Sequence, residues 1–214
     1  MHIPDGFLTG EACAIGVATG AAGIAVCLRG ARENVRERDL PLAGLAAAFF
    51  LVGDAPIVPV GVGTQAHLLG GTLAVALLGP YLGALTIAVV CAIQALMFGD
   101  GGITTLGLTI TNLALVPAFI GYPILLALRR VIPLAVACAI TAAVNVMVAA
   151  LIYTAEVLLF AAEPLNKGAL AATTLGAYAV VACIEAVITG LIVRALLGVR
   201  PDLVRVARRK PAPA

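Results

Sequence analysis

The chain contains two histidines, His2 and His67, among 214 residues. A histidine directly behind the first methionine offers three nitrogens together: the α-amine of Met1, the backbone amide of His2 and the His2 ring. His67 can supply a fourth, and four nitrogens suit a borderline transition-metal ion such as Ni(II), Cu(II) or Co(II). The amine and the His2 amide nitrogen close a five-membered chelate ring, and the amide and ring Nδ1 close a six-membered one. Deprotonating an amide favours Ni(II) or Cu(II), less easily Co(II), in a square-planar or nearly square-planar arrangement. A tetrahedral zinc site gains little from such donors. Histidine is too bulky behind Met1 for ordinary methionine removal, so the amine is expected to stay free.

Those donors sit in an apolar chain. It is 62% hydrophobic and 11% charged, with mean hydropathy +1.12 and no Trp. Soluble domains carry about 25% charged residues, so this composition reads as one all-helical integral membrane domain over residues 1–214. The N-terminus lacks a basic region before its first apolar stretch and carries Asp5 and Glu11 instead, unlike a signal peptide. Cys13, Cys27, Cys91, Cys138 and Cys183 stand singly, without the paired spacing of a zinc knuckle or disulfide framework.

Apolar runs long enough to span a bilayer as helices lie near 11–28, 40–60, 81–98, 105–128, 132–160 and 168–197. A seventh, 65–78, is too short to cross alone and is predicted to carry His67 in its first turn, at membrane depth. The Gly/Pro-interrupted backbone above it is tolerated only inside protein or beside a cavity, and such segments point to transporter binding sites. With seven spans, twelve of the 13 basic residues gather on one face, and Lys167 lies opposite. The positive-inside rule makes that face cytoplasmic, the N-terminus external and 199–214 a basic cytoplasmic tail. Residues 1–10 then dip back into the bundle as a plug, turned by Pro4, Asp5 and Gly6, with Ile3, Phe7 and Leu8 as apolar contacts.

Other polar residues fall near this meeting place. Asp54 is expected at the outer end of the second span, beside the cavity. Thr64, Gln65, Gln94 and Asn112 are candidates to hold the ligands by hydrogen bonds, with interhelical bonding as the competing role. Asp100-Gly-Gly reads as a solvated outer loop, and Glu156 as reaching water. Glu185 is an isolated intramembrane acid, expected to be protonated or to face Asn145 or a partner subunit, in a structural or interface role ahead of a proton relay. The stripes Ala14/Ala18/Ala22, Gly16/Gly20 and Ala43/Ala47 allow close helix packing, within the bundle or against a partner.

Three ordered motifs resemble the CbiM/NikM family, the substrate-capture membrane subunits of energy-coupling-factor (ECF) cobalt and nickel importers. They are Met-His-Ile-Pro-Asp-Gly-Phe-Leu at 1–8, Gly-Thr-Gln-Ala-His-Leu-Leu-Gly-Gly at 63–71, and the run from Gln94 to Gly107 followed by Asn112. The similarity covers about residues 1–125; beyond that the match is mainly in hydropathy. The resemblance implies a seven-helix bundle, the ECF substrate-binding fold with one added N-terminal helix. It implies metal ligation by Met1, His2 and His67, with Co2+ or Ni2+ as transported ligand rather than cofactor. It also implies a transmembrane coupling subunit, ATP-binding cassette ATPases and a small accessory membrane subunit as partners, in the cytoplasmic membrane. Ile57 and Thr109 stand where members often carry Asn, which leaves the metal preference open.

Competing functions are weaker. No GxxxxGK[ST] loop is present, so the chain does not itself hydrolyse ATP. A gradient-driven secondary transporter would want carboxylates along a path and an internal repeat, whereas only Glu185 is in view. A zinc enzyme needs more histidines than two, and no HExxH occurs. Nothing points to nucleic acid.

Overall fold

A computed structural model describes residues 1–54, 58–59, 65–66 and 68–208, without the side chains of residues 38, 58, 59, 65 and 66. Its elements are helices, apart from a two-residue antiparallel pairing of Val58–Pro59 with Gln65–Ala66. Five helices are long and apolar enough to cross a membrane: α1 (Gly10–Asn34), α4 (Pro80–Phe98), α5 (Leu106–Leu128), α6 (Leu134–Phe160) and α7 (Lys167–Val199). Two are shorter: α2 (Leu40–Gly53) has 14 residues and α3 (Gly71–Leu78) has 8.

Two boundaries differ from the sequence expectation. The second helix stops at Gly53 rather than running to residue 60, because Pro56 and Pro59 cannot continue it although the hydropathy stays high. The short helix starts at Gly71 rather than at residue 65. Gly70 just before it takes the left-handed conformation, φ 63°, and its absent β-carbon would meet the Phe50 ring. Position 67 therefore precedes the helix instead of opening it.

The segment from Met1 to Thr9 meets the α4–α5 loop and the residues just after α6. At the opposite face the C-terminal segment gathers the other helix ends. Arg205 donates to Asn34 O (2.6 Å) and Leu78 O (3.1 Å), Arg129 donates to Val206 O, and Arg208 lies 3.5 Å from Asp39. Val204 and Val206 are buried beneath it. The expected basic tail is thus, through Arg208, a strap docked on the bundle.

Glycines set the closest helix contact. Gly16 and Gly20 of α1 are buried against Gly107 and Leu108 of α5, whereas Ala14, Ala18 and Ala22 are exposed. A β-carbon at Gly107 would run into the Gly16 carbonyl. Gly107→Ala is therefore expected to push α1 and α5 apart and cost about 1–3 kcal/mol, read as a lowered Tm in detergent. An unchanged Tm would refute this packing.

Candidate functional site

The N-terminal segment is built into the protein rather than trailing from it. Met1 and Ile3 are fully buried and His2 is 4% exposed. Pro4 and Gly6 turn the chain, with Phe7 N donating to Pro4 O and Gly6 at φ 78°. After the turn, Thr9 N donates to Phe160 O (2.9 Å) and Ala162 N to Phe7 O (3.1 Å), a short antiparallel bridge around Leu8 and Ala161. Before it, the Ile3 carbonyl accepts from Gly102 N (2.8 Å) and from the Thr105 hydroxyl (2.5 Å).

Asp5 closes this lock. Its carboxylate accepts from Ile103 N (3.1 Å), Thr104 N (2.9 Å) and the Thr104 hydroxyl (2.5 Å). These bonds, the Thr104 hydroxyl first, hold its pKa below the ordinary carboxylate value. The stretch around Asp100-Gly-Gly is hence no solvated loop but the dock for the plug. A β-carbon at Gly101 would stand 3.0 Å from His2 Nδ1, and one at Gly102 would collide with Asp5. Both glycines are absent side chains that let the plug approach. Sequence reasoning took Asp5 only as a turn residue and missed Thr104 and Thr105; the paired glycines at 101–102 were the available signal for a close backbone approach.

Burial has an electrostatic consequence at the terminus. Removal from water pushes the Met1 amine down from 8.0 to about 5, against the opposing pull of the carboxylates of Asp100 and Asp54. The terminus is thus neutral near pH 7, with its lone pair available to an electrophile. Asp54 is buried at the end of α2 and accepts from Gln94 Nε2 at 3.4 Å. The structure therefore brings Met1, His2, Asp54 and Gln94 into one region, with Asp100 beside them.

Asn112 is placed elsewhere. It donates to Glu156 Oε2 at 2.8 Å and lines a small cavity with Thr72, Asn145 and Glu185. Glu156 is accordingly half-buried and hydrogen-bonded rather than simply in water. Thr109 is buried in α5. His67, Thr64 and Ile57 lie outside the described residues, as does the Gln65 side chain. Among the described residues no three His, Cys, Asp or Glu side chains converge. Among those residues the donors open to a metal include main-chain nitrogens, and the buried amine of Met1 is one.

Comparisons with known proteins establish the family. The model of the family described as "CbiM: Cobalt uptake substrate-specific transmembrane region" matches residues 2–203. The chain belongs to the CbiM family. A Haloquadratum walsbyi protein assigned by its name, as an inference, to metal transport is 37% identical over 204 residues, covering 95% of this chain and 93% of that protein. A fused nickel transport protein of Rhodobacter capsulatus is 40% identical over 116 residues, 54% of this chain but only 33% of the longer relative. The crystal structure of a truncated transition metal transporter superposes with a TM-score of 0.86 at 33% identity, covering 92% of this chain and 99% of that one. As a CbiM family member with five apolar spans, the chain is a multi-pass membrane component of cobalt or nickel transport.

The lowered amine pKa fixes the sign of a pH dependence. The docked, neutral amine stabilises the plug fully above about pH 8, and that contribution is lost as pH falls towards 5. In metal-free protein, opening of residues 3–9 measured by hydrogen exchange is expected to become easier by about tenfold per pH unit over that interval. Opening that is flat in pH would contradict a neutral docked amine.

Proposed function

We propose that the chain captures Co2+ or Ni2+ from outside the cell. The ligands in this reading are the Met1 amine, the His2 amide and ring, and the His67 imidazole. The observation that carries it is the burial of the N-terminal residue beside His2, in a segment locked to two loops. A free amine normally seeks water. Holding it buried and neutral makes sense if an electron-pair acceptor comes to it, and a square-planar ion accepts it together with the adjacent amide and ring. Asp54 and Gln94 stand where they can orient those donors or attract the cation.

In this reading the chain is the substrate-capture subunit of an ECF-type importer in the cytoplasmic membrane. Its N-terminus is external and its basic face cytoplasmic, where α2 and α3 complete seven membrane helices. It is no enzyme itself. Transport energy comes from partner ATP-binding cassette ATPases through a transmembrane coupling subunit, with a small accessory membrane subunit. The fused nickel-transport relative supports a multi-component system. The strap uniting the basic clusters supports the sidedness, since helix ends on that face carry nearly all the cationic charge.

The test is acetylation of the Met1 amine. Every side chain is kept, but the amine nitrogen becomes an amide and the chelate ring it closed with the His2 amide loses its donor. Ni(II) and Co(II) affinity, by competition titration on purified full chain, is expected to fall at least about a hundredfold. Undiminished binding would sink the ligand set.

A further inference from the structure

The C-terminal strap is seated by contacts that converge on Arg205. One guanidinium nitrogen donates to Leu78 O at the end of α3, the other to Asn34 O at the end of α1. Asp39, just before α2, lies 4.0 Å from Arg205 and 3.5 Å from Arg208. Gly79 leaves room for the seat, since a β-carbon there would stand 2.9 Å from Arg205 Nε. Two helix C-termini and a carboxylate are all negative ends. A planar guanidinium spans them, whereas an ammonium is a single point of charge. The strap's main chain is gripped in turn, because Arg129, the residue after α5, donates to Val206 O.

The strap thus ties the end of α1 to the end of α5, and the same two helices are tied again at their other ends. The plug runs directly into α1 at Gly10, and the loop that docks it runs directly into α5 at Leu106. Ile3 and Asp5 of the plug bond to Gly102, Ile103, Thr104 and Thr105 of that loop.

We propose that the strap is a latch on the α1–α5 pair, coupling its own docking on the basic face to the docking of the N-terminal plug on the opposite face.

Rigid helices and notched packing make the coupling. α1 has 25 residues and α5 has 23, so each is a rod of more than about 30 Å. Between the tied ends, leucines of α5 sit in glycine notches of α1. Leu108 would be struck by a β-carbon at Gly16, and Leu115 by one at Gly23. Helices packed in this way move between discrete registers rather than deforming continuously. The plug is covalently part of one rod and its dock of the other. Their hydrogen bonds weaken steeply beyond about 3.5 Å, so a change of register at one end is felt as lost bonds at the other. With the strap seated, the pair is pinned at both ends; with the strap released, the plug alone holds one end.

The experiment is hydrogen exchange on the metal-free full chain in detergent, comparing wild type, Arg205→Gln and Asp5→Asn. Without metal, the outcome does not depend on the ligand set proposed above. Arg205→Gln removes the fork and the charge, and Asp5→Asn turns an amide nitrogen towards a main-chain N–H. Arg205→Gln is expected to speed exchange at residues 3–9 at least about fivefold, and Asp5→Asn to speed exchange at residues 200–208 by a similar factor, because coupling between two sites is reciprocal. Exchange in α6 is the internal reference and should stay at the wild-type rate in both. If residues 3–9 of Arg205→Gln exchange as in wild type, the latch is overturned. Exchange that rises equally in plug, strap and α6 reports general destabilisation and overturns it as well. Should Arg205→Gln not purify folded, Asp5→Asn decides alone, and unchanged exchange at residues 200–208 overturns the coupling.

Discussion

Backbone that leaves a helix within a membrane protein must find its hydrogen bonds inside the chain, because hydrocarbon offers none. That constraint organises two irregular segments of this structure. The plug before α1 satisfies its carbonyls and amides on two loops, through Gly102, Thr105, Phe160 and Ala162. The segment before α3 satisfies its amides on Glu185. Each solution uses a carboxylate accepting consecutive main-chain N–H groups: Asp5 takes Ile103 and Thr104, Glu185 takes Leu69 and Gly70. One lies near the surface and the other at the centre of the longest helix. The same device therefore anchors both the plug and the start of α3.

Much of the fold was legible because apolar length and composition speak directly to helices in lipid. The five long spans, the shortness of the third helix and the Gly79-Pro80 turn follow from hydropathy and from the two residues that punctuate helices. The second helix was read too far, because hydropathy stays high through Pro56 and Pro59 and the count outweighed the prolines. The start of α3 was placed early for a related reason: nothing local to residues 65–70 announces that a glutamate more than a hundred residues away will cap the helix at Gly71. Glu185 itself looked partnerless because its partners are peptide groups, which carry no letter in the sequence. Composition likewise made 199–214 a basic tail, although the valines on either side of Arg205 were a visible sign of a docked segment.

The candidate site was legible in its residue types and only partly in its surroundings. Met1 and His2 stand out by chemistry alone, since among the described residues no cluster of His, Cys, Asp or Glu side chains competes with them. The support for them did not, because it depends on what is missing. Gly101 and Gly102 matter as space for His2 and Asp5, and a glycine pair in a loop reads equally well as a flexible turn. Asn112 shares a motif with Gln94, yet the helix rotates it to Glu156 while Gln94 turns to Asp54.

The short helix connects these observations. Glu185 sits at its N-terminus and Arg205 donates to the carbonyl of Leu78 at its C-terminus, so a negative and a positive group complement the two ends of its dipole. At eight residues α3 is below the length at which a helix is stable alone, and its position is set by these end contacts and by its buried packing against α4 and α6. It is therefore a strut rather than a spacer. A shift of the strap on the basic face moves the end held by Arg205, and a rigid pair of helical turns delivers that shift to Leu69 and Gly70. The main-chain nitrogens of the proposed ligand set are sensitive to displacement of the segment that carries them, because they cannot rotate to follow an ion as long side chains do. In the proposed site, metal affinity is thus a property of how the plug is held, and the contacts that hold the plug and α3 run from one face of the membrane domain to the other.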